Sequence, residues 1–122
     1  MIEGNFIVNV KSATSVNSIP IWINVKDDLI GSGSYTNLHK AEQHAQSLLE
    51  LIKSYHNGEL QLNGEKIEQT KKGRLEYLKA NFKHLKTNDA RVSRAESVLA
   101  YGVAVRVLSF TLPSVSFLGE VN

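Results

Sequence analysis

Residues 36–58, TNLHKAEQHAQSLLELIKSYHNG, carry the most regular apolar spacing in this chain of 122 residues. Apolar residues recur every three or four positions and would form one stripe along a helix: Leu38, Ala41, Ala45, Leu48, Leu49, Ile52 and Tyr55. Thr36 or Asn37 can cap the start, because a side-chain oxygen accepts the free amides of the first turn. Asn57-Gly58 suits the end, because both residues tolerate left-handed backbone. The pattern predicts an amphipathic helix.

Three segments before this helix have the composition of strands. Residues 5–11 alternate between apolar and polar side chains, which predicts a strand with one buried face. Residues 19–25 alternate in the same way, and Pro20 favours an edge position or the start of the strand. Residues 29–35 predict a short third strand.

Three further segments follow the helix. Residues 59–67 are consistent with either a hairpin, turning at Asn63-Gly64, or a loop. A second helix is predicted from Thr70 to Lys86, with apolar residues at core spacing: Leu75, Leu78, Phe82 and Leu85. A short third helix is predicted from Ala90 to Leu99.

The segment Tyr101–Leu112 predicts a central strand. It is rich in β-branched and aromatic residues, and both faces are apolar apart from Arg106. The order of strands, helices and one long strand predicts an α+β fold, in which two or three helices pack against a mostly antiparallel sheet. That sheet would combine the N-terminal strands with the long C-terminal strand, and residues 1–122 would form a single domain.

The composition narrows the setting in which this protein works. The chain has no cysteine, which excludes disulfides and cysteine nucleophiles and suits a reducing compartment. The first residues lack the basic region of a signal peptide, and no apolar run approaches the roughly 20 residues of a membrane helix. We therefore expect a cytoplasmic protein without a membrane partner.

The distribution of charge is strongly asymmetric. Residues 66–94 hold nine basic and three acidic side chains (9 − 3 = +6), whereas the rest of the chain holds five and nine (5 − 9 = −4). On the predicted second helix, four lysines fall within an arc of about 60°: Lys72, Lys79, Lys83 and Lys86. Arg91 and Arg94 follow on the next helix. These six residues, called the basic face below, are the predicted site for nucleic acid or an acidic protein.

A solvated helix flank is the alternative interpretation of the basic face, since lysine heads commonly stay in water. Proteins that bind single strands also interleave aromatic residues with basic ones. The chain has one tryptophan, Trp22, and its size predicts packing beneath a helix or loop.

A second candidate site is a phosphate-binding loop. Gly31, Ser32, Gly33 and Ser34 come between a predicted strand and a predicted helix start, where free amides attract anions. Arg106 is the unusual charge in an apolar strand, and it either reaches water at a strand end or faces a ligand. The loop lacks the complete pattern of a nucleotide motif, so an ordinary connection explains it as well.

Metal binding and catalysis have little support. His39 and His44 are five positions apart, which separates them by about 140° around a helix, and zinc helices need a spacing of four. No serine has a visible histidine and acid partner. We expect no cofactor, no metal and no catalytic residue, which favours a protein that is not an enzyme and leaves an enzyme as an open alternative.

Three hypotheses follow. The first is a small non-enzymatic binding module that docks through the basic face of residues 66–94 on nucleic acid or on an acidic or nucleic-acid-binding protein; by analogy, an inhibitor or accessory factor of a mobile element has this character. The second is a structural or assembly subunit that forms a homodimer through Tyr101–Leu112. The third is a phosphate-ligand binder or enzyme built on residues 31–36 and Arg106.

Overall fold

The structure is a computed structural model that describes residues 3–13, 21–25, 29, 35–87, 89–109 and 115–121. The elements in those residues are, in chain order, β1 (Glu3–Ser12), β2 (Ile21–Asn24), β3 (Tyr35–Asn37), α1 (Leu38–His56), β4 (Gln61–Leu62), β5 (Glu65–Lys66), α2 (Lys71–Asn81), a 3-10 turn (Lys83–Leu85), α3 (Asp89–Tyr101), β6 (Gly102–Ser109) and β7 (Val115–Glu120).

The main sheet has five antiparallel strands. β6 lies between β1 and β7, and β2 and β3 pair with the other edge of β1 at its two ends. The predicted α+β fold with a mostly antiparallel sheet is therefore confirmed. The C-terminal strand is central, as its two apolar faces predict.

One face of the sheet packs on the helices and forms the core. Alternation along β1 and β6 turns Val8, Val10, Val105 and Val107 inward, and all four are buried. Every residue of the predicted stripe on α1 is buried except Leu38, which is partly buried. α1 packs on β1, β6 and β7, so its apolar stripe covers the inner face of the sheet and completes the core.

The ends of α1 follow the local signals. The Asn37 side chain accepts a hydrogen bond from the Lys40 amide at 3.1 Å and caps the first turn. Gly58 has φ +70°, a left-handed conformation that glycine adopts without strain. The segment after it is a hairpin, because Asn63 and Gly64 both have positive φ, 54° and 84°, as a type I′ turn requires.

The second helix is shorter than its apolar spacing predicts. α2 ends at Asn81, and Phe82 is extended with φ −123° and ψ 98°. The Asn81 side chain donates to the Tyr77 carbonyl at 2.9 Å, a local bond that competes with continuation of the helix. The chain then makes the 3-10 turn, which still delivers Leu85 to the core. The prediction of one helix reaching Lys86 is therefore wrong.

Gly73 in the first turn of α2 is a packing requirement. Its amide donates to the Thr70 hydroxyl at 3.1 Å, which caps the helix. A Cβ atom at this position would overlap the backbone carbonyl of Glu68. Helix propensity alone makes glycine unfavourable here, but the close approach of the preceding chain leaves no room for a side chain.

The boundary between α3 and β6 lies one residue later than predicted. Tyr101 ends α3, and the strand starts at Gly102. Both edges of β6 are paired, one with β1 and the other with β7. Backbone pairing of β6 with a second copy is therefore blocked over Ala104–Leu108, where both edges are occupied, and the homodimer through Tyr101–Leu112 stays a prediction.

Candidate functional site

A buried ion pair joins the three helices beneath the basic face. Arg74 on α2 donates from Nε to Glu96 Oε1 at 2.8 Å, and its Nη2 lies 2.6 Å from the same oxygen. Its Nη1 donates to the Tyr55 hydroxyl on α1 at 2.6 Å. The side chains of Arg74 and Glu96 are only 14% and 8% exposed. The charge of Arg74 is therefore neutralised inside the protein and is not offered to a partner.

The surroundings of Arg74 keep it ionised. Burial by itself lowers the pKa of the guanidinium, but the hydrogen bonds with Tyr55 and Glu96 and the nearby carboxylate charge raise it by more. The net result is a pKa above the usual arginine value. The sequence pattern does not reveal this pair, because its two residues are 22 positions apart and lie on different helices.

The lysines of the basic face are exposed but lie on several elements. Lys72 and Lys79 are two turns apart on one flank of α2, Lys83 is in the 3-10 turn, and Lys86 follows that turn. The single helical arc predicted for all four is wrong, because α2 ends before Lys83. α2 packs on α3 and on the 3-10 turn, so these elements still form one layer of the protein.

The arginines of the basic face differ from its lysines. Arg91 is half-buried and Arg94 is exposed, both on α3, and each interacts with other groups of the chain.

The surface charge of residues 66–94 stays strongly positive without the buried Arg74. Removing Arg74 from the count leaves eight basic and three acidic groups, or 8 − 3 = +5. Lys72 contacts Glu76 at 4.0 Å, but these side chains are 78% and 55% exposed, so water screens the pair.

A cleft of about 320 Å³ lies between the β4–β5 hairpin and the start of α2. Its charged lining consists of two lysines and three carboxylates: Lys66, Lys72, Glu65, Glu68 and Glu76. The local balance is 2 − 3 = −1, so the cleft itself does not attract phosphate. In this part of the described chain, the exposed lysines lie on the convex surface of a helix and do not form an anion-binding pocket.

The outer face of the sheet brings together two residues that the sequence singles out separately. The guanidinium of Arg106 on β6 lies 3.8 Å from the centre of the Trp22 ring on β2. β1 lies between β6 and β2, and its Asn9 is directly opposite Arg106. The Arg106 side chain therefore crosses β1 to reach Trp22. Trp22 is half-buried, and among the described residues it is the Arg106 cation that lies over its ring, while the predicted packing beneath a helix or loop stays a prediction.

Arg106 is poorly solvated where it lies. Its Nε is buried and has no hydrogen-bond partner in the described part of the chain. Burial lowers the pKa of the guanidinium below the usual arginine value. The residue as a whole is half-buried, and among the described residues no carboxylate forms an ion pair with it.

We expect Arg106→Met to leave the free energy of unfolding within about 1 kcal/mol of wild type. Loss of the cation over Trp22 removes about 0.5 to 2 kcal/mol, while removal of a buried unsatisfied N–H recovers about 1 to 3 kcal/mol. Urea unfolding followed by the fluorescence of the single tryptophan measures the change. Lys11→Met, at a neighbouring outer-face position, is the control. A loss above about 2 kcal/mol would show that Arg106 is a structural residue.

The remaining candidates are not assembled into a site. Gly31, Ser32, Gly33 and Ser34 lie outside the described residues, so the phosphate loop stays a prediction. His44 Nδ1 is 2.8 Å from the Tyr35 hydroxyl, which ties it into the core. No group of three or more His, Asp or Glu side chains that could hold a metal occurs in the described residues. None of the described helices has both the length and the apolar character needed to cross a bilayer.

The described residues form an α+β protein with helices against an antiparallel sheet and exposed lysines on the helix α2. Comparison of the chain with protein-family models, with curated proteins and with solved structures found no match.

Proposed function

We propose that this protein is a non-enzymatic binding module that docks its basic face on the phosphate backbone of nucleic acid. The observation that carries the proposal is the uncompensated charge of the lysines at 72, 79, 83 and 86. All four side chains are exposed, and the one carboxylate contact that they make within the described residues, between Lys72 and Glu76, is long and solvated. The absence of cysteine favours a cytoplasmic setting for this role.

The chemistry of the lysines favours phosphate as the target. A lysine head is a compact charge with no fixed fork, so it suits a repeating backbone better than a single oriented carboxylate. Each phosphate that it neutralises releases counterions, which gives affinity without base recognition. The acidic remainder of the chain (5 − 9 = −4) restricts docking to one side of the protein.

Binding to single- and double-stranded DNA and RNA across a salt series tests the proposal. For duplex DNA we expect the logarithm of the binding constant to fall with the logarithm of salt with a slope of about −3 to −4, as four lysines imply. In Lys79→Glu/Lys83→Glu the slope should become shallower by about 2, because two phosphate contacts are lost.

The matched control is Lys40→Glu/Lys53→Glu, which makes the same change in net charge at two exposed lysines of α1. The control should keep the wild-type slope. An equal loss in both variants would mean that overall charge, and not the basic face, drives binding. If no nucleic acid binds but polyglutamate binds with the same dependence on salt and on Lys79 and Lys83, the face serves an acidic protein instead.

A further inference from the structure

β7 is an edge strand with a free side. It pairs with β6 along one side, and no strand in the described part of the chain pairs with its other side. The Val121 amide donates to the Val103 carbonyl at 2.8 Å, so the backbone of Val121 points toward β6. Because backbone groups alternate along a strand, those of Phe117 and Gly119 also point toward β6. The amides and carbonyls of Leu118 and Glu120 therefore point away from the sheet.

The side chains at this edge are unusually apolar for an exposed strand. Leu118 is 58% exposed and Val115 is 50% exposed. Free edges are normally protected by lysine, proline or inward-pointing charge. The sequence of β7, VSFLGE, has neither lysine nor proline, and its one charge is at the last residue. The register shift beside Val107 places one extra residue, Ser116, near the start of the strand.

We propose that two copies of this protein pair through β7, antiparallel across a two-fold axis, with Leu118 opposite Leu118 of the second copy. An antiparallel pair of identical strands has the symmetry that a closed dimer requires. The outward amide of each Leu118 donates a hydrogen bond to the outward carbonyl of the other Leu118. The main sheets of the two copies then form one continuous sheet.

The side chains select this register over its neighbours. With Leu118 opposite itself, Phe117 is opposite Gly119 of the second copy on the helix-covered face, so no two bulky side chains of β7 meet there directly. Glu120 faces Ser116. A shift by one step would place Leu118 against Glu120, and a shift by two would place the two Glu120 carboxylates opposite each other, which is unfavourable. Leucine against leucine also removes the most exposed large apolar side chain of β7 from water.

Single-cysteine variants test the pairing directly, because the natural chain has no cysteine. In Leu118→Cys the two Cα atoms would be about 5.5 Å apart, within the range of a disulfide. We expect mild oxidation to convert this variant to a covalent dimer on a non-reducing gel. Val115→Cys is the matched control on the same strand and of similar exposure. Its two copies would be offset by about six residues, or about 20 Å, and should not cross-link.

Sedimentation equilibrium provides the second measurement. Wild type should associate to twice its mass of 13.5 kDa, with little dependence on salt, unlike binding through the basic face. Leu118→Lys should weaken association at least tenfold, whereas Ile21→Lys, at an exposed apolar residue of β2, should leave it unchanged. A monomeric wild type overturns the proposal. So does a dimer in which the Leu118→Cys variant fails to cross-link or the Val115→Cys variant cross-links equally well.

Discussion

Glu96→Ala is expected to lower the free energy of unfolding by about 3 to 5 kcal/mol, the usual cost of removing one partner of a buried pair. The variant leaves the Arg74 guanidinium largely enclosed, with only the Tyr55 hydroxyl as a described partner. The desolvation of that charge would no longer be offset. Since small domains have only about 5 to 15 kcal/mol of stability, the loss is a large share of the total.

Urea unfolding of matched variants separates this pair from an ordinary surface pair. Glu76→Ala removes the exposed contact with Lys72 and is expected to cost less than about 0.5 kcal/mol. Arg74→Met/Glu96→Leu replaces both buried charges with apolar groups and should recover most of the loss. If Glu96→Ala and Glu76→Ala cost the same, Arg74 reaches water after the change and the pair is not a buried one.

Leu78→Ala is expected to cost about 2 to 5 kcal/mol, because it removes a large side chain from a closed site and leaves a cavity. Leu78 is fully buried, and the other buried residue of α2 is Gly73, which has no side chain to pack. Leu78 is therefore the main apolar anchor of α2, beside the Arg74 ion pair and the partly buried Leu75 and Tyr77. Amide exchange should accelerate across α2 more than in β6.

The comparison for Leu78 is Leu75→Ala on the same helix. Leu75 is only partly buried, so its truncation removes less apolar area and leaves a more open space. Urea midpoints should show less than half the loss seen for Leu78. Equal losses, or unchanged exchange in α2, would contradict the view that Leu78 anchors the helix. Loss of α2 docking should also weaken the proposed binding to nucleic acid, since Lys72 and Lys79 are on the surface of this helix.

Much of the fold was predictable because it follows from local rules. The apolar stripe of α1, the cap at Asn37 and the positive φ values at Asn63 and Gly64 depend on residues within a few positions of one another. The alternation of β1 and the two apolar faces of β6 predicted these strands correctly, and the order of elements predicted the α+β class. Each of these signals needs only the backbone geometry of a single helix, strand or turn.

The candidate site was predictable only in part. The concentration of charge in residues 66–94 is a property of sequence, and the exposure of its lysines agrees with that pattern. The prediction that all four lie on one helical arc was wrong, because α2 ends at Asn81 and Lys83 and Lys86 follow it. Arg74 belonged by composition to the same basic group, yet its surroundings turn it into a core residue.

The sequence by itself determined α1, β1 and the central strand β6, the α+β class with a mostly antiparallel sheet, and the asymmetry of charge. Tertiary structure alone decided which charge is buried and that Arg106 lies over Trp22. These contacts join groups far apart in the chain, such as Arg74 and Glu96 at a separation of 22 residues. Such contacts depend on how whole helices and strands pack against one another, and the local spacing of apolar residues does not predict that packing.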